Sequence, residues 1–183
     1  PGLLVAAEIL TYPEHESGFT GRVKEIIGAS AEPMNDLRRV IYKHQIPHEF
    51  SEAVEKEARL FKAAPEEKDF VGRTDLRNKK LITIDGATAK DFDDAVYVEK
   101  NSQGFLLYVA IADVSHYVRL ESAIDKEAYE RGTSVYFPNF VVPMLPEVLS
   151  NGLCSLKPRV PRLCLVAEIQ FNFNGEKISS KFY

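Results

Sequence analysis

From Leu81 onward, apolar segments of strand length alternate with short turn signals, and this pattern limits the fold more than any other feature. The segments LITI, AVYVEK and GFLLYVAIADV are separated by Asp85-Gly86 and by the polar turn at residues 101–104. Apolar runs of that length bounded by Gly, Asn and Asp are typical of strands. The segments RLCLVAEIQFNF and KISSKFY flank Asn174-Gly175 and predict a hairpin. We therefore expect a domain built around a sheet.

Helical signals are interspersed with these strands. Residues 121–131 predict a helix, with Ser122 and Asp125 in approximate capping-box spacing. SVYF predicts a short strand, and residues 145–149 predict a helical turn. The predicted fold class is therefore α/β in the broad α+β sense, with a mixed sheet and helices.

The first 69 residues are organised differently. Residues 1–28 contain the strand-like segments LLVAAEIL and FTGRVKEII, which are too few to close a barrel, so we expect the end of a β domain. Residues 29–69 predict a helical connector, and residues 70–183 the main domain. Apolar residues recur at helical spacing in two places within the connector: Leu37, Val40 and Ile41 in a helix ending before Pro47, and Val54, Ala58 and Phe61 in a helix over residues 51–63. Without an initiator Met, and with a last hairpin that runs into the C-terminus, the chain is expected to be cut at both ends.

Composition excludes several classes of protein. Charged residues make up 27% and hydrophobic residues 45% of the 183, which excludes a disordered, collagen-like or coiled-coil chain. No apolar run approaches the roughly 20 residues that a membrane-spanning helix needs, so no membrane partner is expected. Cys154 and Cys164 are expected to be buried thiols rather than a disulfide, which indicates a reducing compartment and a cytoplasmic location. The net charge of −4 neither supports nor excludes nucleic-acid binding.

The stretch TIDGATAKDFDDAV carries the strongest functional signal. Asp85, Asp91, Asp93 and Asp94 place four carboxylates within ten residues, with Lys90 the only cation among them. A solvated acidic turn is the usual explanation of such a cluster. Here, however, both flanks are apolar strands that would fix the loop to a sheet, and Asp91 and Asp93 would point the same way from an extended chain. The glycine after Asp85 permits a reversal that would return Asp85 towards the others.

Carboxylates this close repel one another. Two unit charges 4 Å apart at an effective dielectric constant near 20 cost about 4 kcal/mol, so either some are protonated or a cation lies among them. Oxygen ligands without His or Cys favour Mg²⁺, with Mn²⁺ as the alternative, over zinc. Because Mg²⁺ characteristically bridges protein carboxylates to a substrate phosphate, the predicted chemistry is phosphodiester hydrolysis by a metal-activated water. No organic cofactor is expected.

Other sites fit less well. An EF-hand loop counted from Asp91 would have Val96 at position 6 and Ser102 at position 12, where Gly and Glu are required. The sequence contains no GxGxxG, no GxSxG and no phosphate-binding P-loop. His44 and His48 have metal-like spacing, but no Cys pair completes a zinc site, so surface histidines are expected.

Two further residues have alternative interpretations. His116 in ADVSHYV is expected to be structural, at the end of a strand. Tyr136 in SVYFP could stack on a base, but on the residue pattern alone a core position is favoured.

Four motifs resemble a known family: TIDGATAKDFDDAV, VAIADVSHYV, RGTSVYFP and VVPMLPEVLSNGLCSLKP. They are similar to the first half of the RNB catalytic domain of the ribonuclease II/ribonuclease R exoribonucleases, in order and at natural spacing over roughly residues 70–183. Gly86, Phe92 and the SHYV segment look more like the bacterial ribonuclease R branch. Residues 1–28 resemble the end of the second cold-shock (OB-type) domain that precedes the catalytic domain in this family.

The resemblance implies processive 3′-to-5′ hydrolysis of single-stranded RNA, with structured RNA as a second candidate substrate, release of 5′-nucleoside monophosphates and a need for divalent metal. It implies that Asp85 and Asp94 are the most direct metal ligands and that Asp91 supports both the metal site and catalysis. Asp93 would be the carboxylate most critical to the chemical step. Tyr136 would stack near the 3′ end of the RNA, which reverses the expectation of a core residue.

The leading hypothesis is thus part of an exoribonuclease. One alternative is a non-catalytic RNA-binding module of the same ancestry with idle carboxylates, and a more remote one is a calcium-binding structural domain. Four intact carboxylates favour the nuclease, since a decayed module has no reason to keep all of them. Because the family's catalytic domain extends beyond these motifs, we expect the 183-residue chain alone to be inactive and to self-associate through an unpaired sheet edge.

Overall fold

The computed structural model describes residues 2–12, 18–29, 34–138 and 140–183. In chain order the strands and helices are β1 (Leu3–Thr11), β2 (Thr20–Ala29), α1 (Met34–Lys43), α2 (Glu52–Ala58), β3 (Asp94–Asn101), β4 (Gly104–Ala112), α3 (Val114–Tyr117), α4 (Ala123–Arg131), β5 (Val135–Phe137), β6 (Phe140–Val142), β7 (Cys164–Phe171) and β8 (Lys177–Phe182). A 3-10 turn (Glu67–Phe70) and a π-helical turn (Leu149–Leu153) complete them. The chain divides into two compact units, Pro1–Glu49 with Val135–Val142, and Phe50–Ser134 with Pro143–Tyr183.

The smaller unit contains an antiparallel hairpin of β1 and β2, the helix α1 and a second hairpin of β5 and β6. Both strands predicted within residues 1–28 are therefore confirmed, whereas residues 30–33 of the predicted connector lie outside the described residues. Helix α1 ends before Pro47, as predicted. Its apolar stripe is narrower than expected, because Ile41 is buried and Leu37 half-buried while Val40 is exposed.

The larger unit contains a four-stranded sheet in the order β3-β4-β7-β8. All three pairings are antiparallel, so the expectation of a mixed sheet is wrong. The mixed α/β class is confirmed, because the chain contains both helices and a sheet. Gly104 starts β4 with φ at 139°, and a Cβ there would come within 2.2 Å of the Phe171 carbonyl oxygen. Only glycine therefore permits the close approach of β4 to the end of β7. The buried face of this sheet includes Tyr108, Ala110 and Val166.

The segment LITI was expected to be a strand, and this expectation is wrong. Ile82 forms one isolated antiparallel bridge with Val96, in which the two residues exchange hydrogen bonds of 2.8 and 2.9 Å. Ile84 is exposed. The chain leaves the sheet after this bridge to form the acidic loop, so pairing stops after one residue.

The helices of the larger unit pack on a second apolar cluster that includes Val54, Ile124 and Leu149. Helix α2 is shorter than the predicted span of 51–63, because its C-cap is Arg59. The predicted helical turn at 145–149 is confirmed in part, since the helical backbone begins at residue 147 and continues into the π-helical turn. His116 does not end a strand but lies in α3.

The N-terminus of α4 differs slightly from the predicted capping box. The Ser122 hydroxyl accepts a hydrogen bond from the Asp125 amide, as a helix cap does. The Asp125 carboxylate, however, accepts from the Glu121 amide, one residue earlier than a capping box requires. Among the helices in the described part of the chain, none has the length and apolar content that crossing a bilayer would take.

Candidate active site

The acidic loop is held at both ends by the sheet. Its first end follows the bridge between Ile82 and Val96, and its last residue, Asp94, is the first residue of β3, opposite Ile111 on β4. Within the loop, the amide of Ala89 donates to the carbonyl of Gly86 at 3.0 Å, which closes a turn where the Asp-Gly signal predicted a reversal. The loop therefore leaves the sheet after Ile82 and returns to it at Asp94.

The second half of the loop is also fixed by its backbone. The Ser155 hydroxyl donates to the carbonyl of Lys90 at 2.7 Å and accepts from the amide of Phe92 at 3.1 Å. The amide of Leu156 donates to the Phe92 carbonyl at 2.8 Å, and the amide of Ala112 donates to the Asp93 carbonyl at 2.9 Å. These bonds hold the backbone on both sides of Asp91 and at Asp93.

Three of the four carboxylates act electrostatically on the fourth, Asp93. Asp93 is exposed at the surface, yet partial removal of its carboxylate from water raises its pKa, and the negative charges of Asp91, Asp94 and Asp85 raise it further. Asp85 and Asp94 are exposed, and Asp91 is half-buried. The structure thus brings the four predicted residues into one field of negative charge.

This arrangement is not a preformed metal cage. Among the described residues, which include all four aspartates, no three His, Cys, Asp or Glu side chains converge as a metal-binding group. The donors are nevertheless all carboxylate oxygens, the type that hard cations such as Mg²⁺ and Mn²⁺ prefer, and Mg²⁺ usually takes only one or two protein carboxylates besides water and phosphate. The chemistry of the donor set therefore fits such an ion, and the assignment of Asp85, Asp94 and Asp91 as its ligands stays a prediction.

A buried ion pair lies beyond the loop. Asp113 is 5% exposed and caps α3, and its carboxylate accepts hydrogen bonds from Arg73 at 2.7 Å and from the Ser115 hydroxyl at 2.8 Å. Burial alone would raise the pKa of Asp113, but the Arg73 guanidinium and the Ser115 hydroxyl hold it below its ordinary value. His116 contacts Arg73 through Nδ1 and Asp69 through Nε2, so its predicted structural role is supported.

Both cysteines are free thiols, as predicted. Cys154 is buried, and Cys164 is half-buried. Burial, followed by the negative charges of Asp93 and Asp113, raises the pKa of Cys154 to about 12. Cys154 therefore stays protonated at neutral pH and is not a nucleophile.

Tyr136 lies on β5, which belongs to the smaller unit. Its side chain is 63% exposed, so the expectation of a core residue is wrong. Because side chains alternate along a strand, Val135 and Phe137 are half-buried and Tyr136 is on the other face. Whether Tyr136 stacks on RNA stays a prediction. His44 and His48, in the same unit, are exposed as predicted.

Three residues of this region carried no predicted role: Ser155, Asp113 and Arg73. Asp113 had a local signal, because Asp is one of the residues preferred at the cap position just before a helix begins. Ser155 and Arg73 had none, since each contacts a segment that is distant in sequence.

Comparisons with known proteins agree with this picture. Residues 73–183 match the RNB domain family model, and residues 1–51 match a cold shock domain model. Ribonuclease R of Vibrio parahaemolyticus is 53% identical over the whole chain, which corresponds to 22% of that protein. The chain thus spans about a fifth of the length of ribonuclease R from Vibrio parahaemolyticus, Vibrio cholerae and Escherichia coli.

Solved structures show the same similarity. Mycoplasma genitalium RNase R in complex with double-stranded RNA matches 100% of this chain and 32% of its own, with a TM-score of 0.92 and 38% identity; its complex with ribose methylated single-stranded RNA gives a TM-score of 0.91. Yeast Ssd1, a pseudonuclease, matches 100% of this chain and 23% of its own with a TM-score of 0.73 at 18% identity, which shows the fold alone. Since the RNB model matches more than half of the residues, the chain belongs to the RNB domain family.

Proposed function

We propose that this chain carries part of the active site of a 3′-to-5′ exoribonuclease that shortens RNA processively and releases 5′-nucleoside monophosphates. Membership of the RNB domain family and 53% identity to a ribonuclease R support the reaction class. The observation that carries the proposal is the environment of Asp93. Partial burial and three neighbouring carboxylates raise its pKa, and hydrogen bonds fix the backbone of the loop in which it lies. Such a perturbed carboxylate is typical of catalytic sites.

The four aspartates have different proposed roles. We propose that Asp85 and Asp94 hold Mg²⁺ or Mn²⁺, that Asp91 supports this site, and that Asp93 orients the attacking water. A bound cation of this type would polarise the scissile phosphate and acidify a water molecule. The residues themselves supply the negative charge that attracts the cation and the fixed backbone that orients the carboxylates.

RNA is the proposed substrate. M. genitalium RNase R, 38% identical to this chain, has been solved with double-stranded and with ribose methylated single-stranded RNA. The exposed ring of Tyr136 offers a flat surface on which a base could stack, and such stacking does not depend on base identity. We propose single-stranded RNA as the main substrate and structured RNA as a second one. The two free thiols support a cytoplasmic location.

The alternative is a non-catalytic RNA-binding module. The fold itself does not separate the two functions, because the pseudonuclease Ssd1 has it too. The lack of a converged metal-binding group among the described residues also favours this alternative. The four intact carboxylates favour the nuclease.

The test is product analysis with the full-length protein. A single-stranded RNA with a free 3′ end is incubated with Mg²⁺ or with EDTA, and the products are separated by chromatography. The nuclease proposal predicts 5′-nucleoside monophosphates with Mg²⁺ and none with EDTA. RNA that is bound but stays intact under both conditions would support the binding module instead.

A further inference from the structure

We infer that Ser155 is a positioning residue for the catalytic carboxylates, because its buried hydroxyl ties together the two peptide groups that flank Asp91. The inference rests on the proposed nuclease function and assigns a residue that supports the same site. Ser155 would touch neither RNA nor metal and would act through the backbone of the acidic loop.

The geometry of the hydroxyl is specific. Ser155 is completely buried, at 0% exposure. Its single proton is donated to the Lys90 carbonyl at 2.7 Å, and its oxygen accepts from the Phe92 amide at 3.1 Å. One hydroxyl therefore satisfies a carbonyl and an amide two residues apart, and a side chain that cannot both donate and accept at this point cannot replace it.

The position of Ser155 is itself fixed. Its carbonyl accepts from the side chain of Arg162 at 3.0 Å, and the next residue, Leu156, donates its amide to the Phe92 carbonyl at 2.8 Å. The preceding residues, Leu153 and Cys154, belong to the apolar core. The serine thus links the acidic loop to the core of the larger unit.

The acidic loop needs such a link. Like charges on its aspartates favour an open loop, and the strand pairing holds only the ends, at Ile82 and from Asp94 onward. Between these ends, the bonds from Ser155 and Leu156 and the one from Ala112 to Asp93 oppose the repulsion. Loss of the hydroxyl would leave the Lys90 carbonyl and the Phe92 amide without this partner, and the loop would relax in the direction that the repulsion favours.

The experiment compares two serine variants of the full-length protein. Ser155→Ala removes the hydroxyl that contacts the loop, and Ser122→Ala removes a hydroxyl that caps α4. Each variant loses one hydroxyl that accepts a hydrogen bond from a backbone amide in the same unit, so both variants are expected to have a lower Tm. Three quantities are measured at a temperature where both remain folded: Mn²⁺ affinity without RNA by calorimetry, the single-turnover rate at saturating RNA, and the Kd for RNA.

We expect Ser155→Ala to weaken Mn²⁺ binding and to slow single-turnover hydrolysis by about 10- to 100-fold each, as loss of supporting residues at metal sites does. Its Kd for RNA should stay within about 2-fold, because RNA affinity comes from many separate contacts. Ser122→Ala should match the wild type in all three quantities. Ser155→Cys keeps the size of the side chain with a weaker hydrogen-bonding group, so it should give intermediate losses.

Wild-type Mn²⁺ affinity and rate in Ser155→Ala, with only a lowered Tm, would overturn the inference and leave the nuclease proposal intact. If Ser155→Ala does not fold, wild-type values in Ser155→Cys would overturn it in the same way. A wild-type protein that neither binds Mn²⁺ nor hydrolyses RNA would overturn the nuclease proposal, and the role of Ser155 with it.

Discussion

Asp93 differs from an ordinary surface aspartate because folding makes its ionised form less favourable. Partial burial and three neighbouring negative charges raise its pKa, so the folded protein holds this proton to a higher pH than the unfolded chain. The resulting cost to stability is absent below the unfolded pKa and is fully present above the folded one. A cation in the loop would offset this cost, which gives a physical reason for metal to bind where the carboxylates crowd.

Tyr136 provides a test of RNA contact at the scale of one residue. Replacement of its exposed ring by alanine should weaken binding of a single-stranded RNA to the full-length protein by about 1–3 kcal/mol, the usual value for lost base stacking. Tyr136→Phe keeps the ring and should bind nearly as the wild type does. Fluorescence anisotropy in an Asp93→Asn background, which prevents degradation, measures both. Equal binding by the alanine and phenylalanine variants would contradict a stacking role.

The sequence predicts the site only where its contacts are local. Four aspartates within ten residues, bounded by strand signals, indicate a charged loop on a sheet, and in the structure the charges of three of them raise the pKa of Asp93. Ser155 is 63 and 65 residues away from the two loop residues that it binds, and Arg73 is 40 residues from Asp113. Such pairs depend on tertiary packing, which no spacing pattern indicates. The prediction of a core position for Tyr136 is wrong for a related reason, since the sequence of a three-residue strand does not show which of its faces is covered.

At the scale of elements, α2 and α4 support each other through two acidic side chains. The Glu57 carboxylate of α2 accepts from the Ile124 amide at the start of α4, and the Glu127 carboxylate of α4 accepts from the Ser51 amide at the start of α2, each at 3.1 Å. Glu127 also pairs at 2.7 Å with Arg131, whose side chain is 2% exposed. Glu127 therefore has two roles and Glu57 has one.

This difference predicts unequal effects on stability. Glu127→Ala should lower the free energy of unfolding by about 3–5 kcal/mol, because it leaves the buried Arg131 guanidinium without this partner. Glu57→Ala should cost about 1 kcal/mol, the usual value of one lost hydrogen bond. Glu52→Ala on the exposed side of α2 is the control and should change little. Urea unfolding of the full-length proteins measures all three, and similar losses in Glu127→Ala and Glu57→Ala would refute the buried pair.

The same residue gives a pH dependence. Burial alone would raise the pKa of Glu127, but hydrogen bonds from Arg131 and Ser51 lower it. Its contribution to stability is therefore present above the unfolded pKa of about 4.3 and is lost as the pH falls through the lower folded pKa. In this acidic range, the unfolding free energy of Glu127→Ala should fall less steeply with decreasing pH than that of the wild type.

Element prediction succeeded where strands pair along their whole length, including the three-residue β5 predicted at SVYF, and failed where the pairing or the helix stops early. The hairpin of β7 and β8 and the pairing of β3 with β4 follow the apolar runs and turns. LITI has the composition of a strand, but the chain leaves the sheet after Ile82. The predicted second helix was too long because Ala58 and Phe61 have helical spacing although the helix ends at Arg59.

At the scale of the whole molecule, the described sheet has an exposed strand at one edge. All six residues of β8 are exposed, and Ile178 and Phe182 keep 55% and 75% of their surface in contact with solvent. Strand β8 is last in the sheet order, so its outer edge presents unpaired backbone groups. Lys177 and Lys181 on this strand oppose pairing, but its unpaired backbone and the exposed apolar side chains favour pairing with a second copy of the chain.

We therefore predict that the 183-residue chain self-associates as its concentration rises. Ile178→Lys places a charge on the edge strand and should reduce association, since lysine on an edge opposes pairing. Leu120→Lys is the control, because Leu120 is 85% exposed and lies outside the sheet. Light scattering over a concentration series distinguishes the variants. A wild-type chain that stays monomeric throughout would contradict the prediction.

The central claim, that the acidic loop is a catalytic site in which Asp93 orients the attacking water, is tested most directly by Asp93→Asn in the full-length protein. The substitution keeps the size of the side chain and removes its charge. With Mg²⁺ and saturating single-stranded RNA, we predict a single-turnover rate at least about 100-fold below that of the wild type, within the range for loss of a catalytic acid–base group. The Kd for RNA, measured on the same preparation, should stay within about 2-fold. A wild-type rate, or equal losses of binding and hydrolysis, would show that Asp93 is not the catalytic carboxylate.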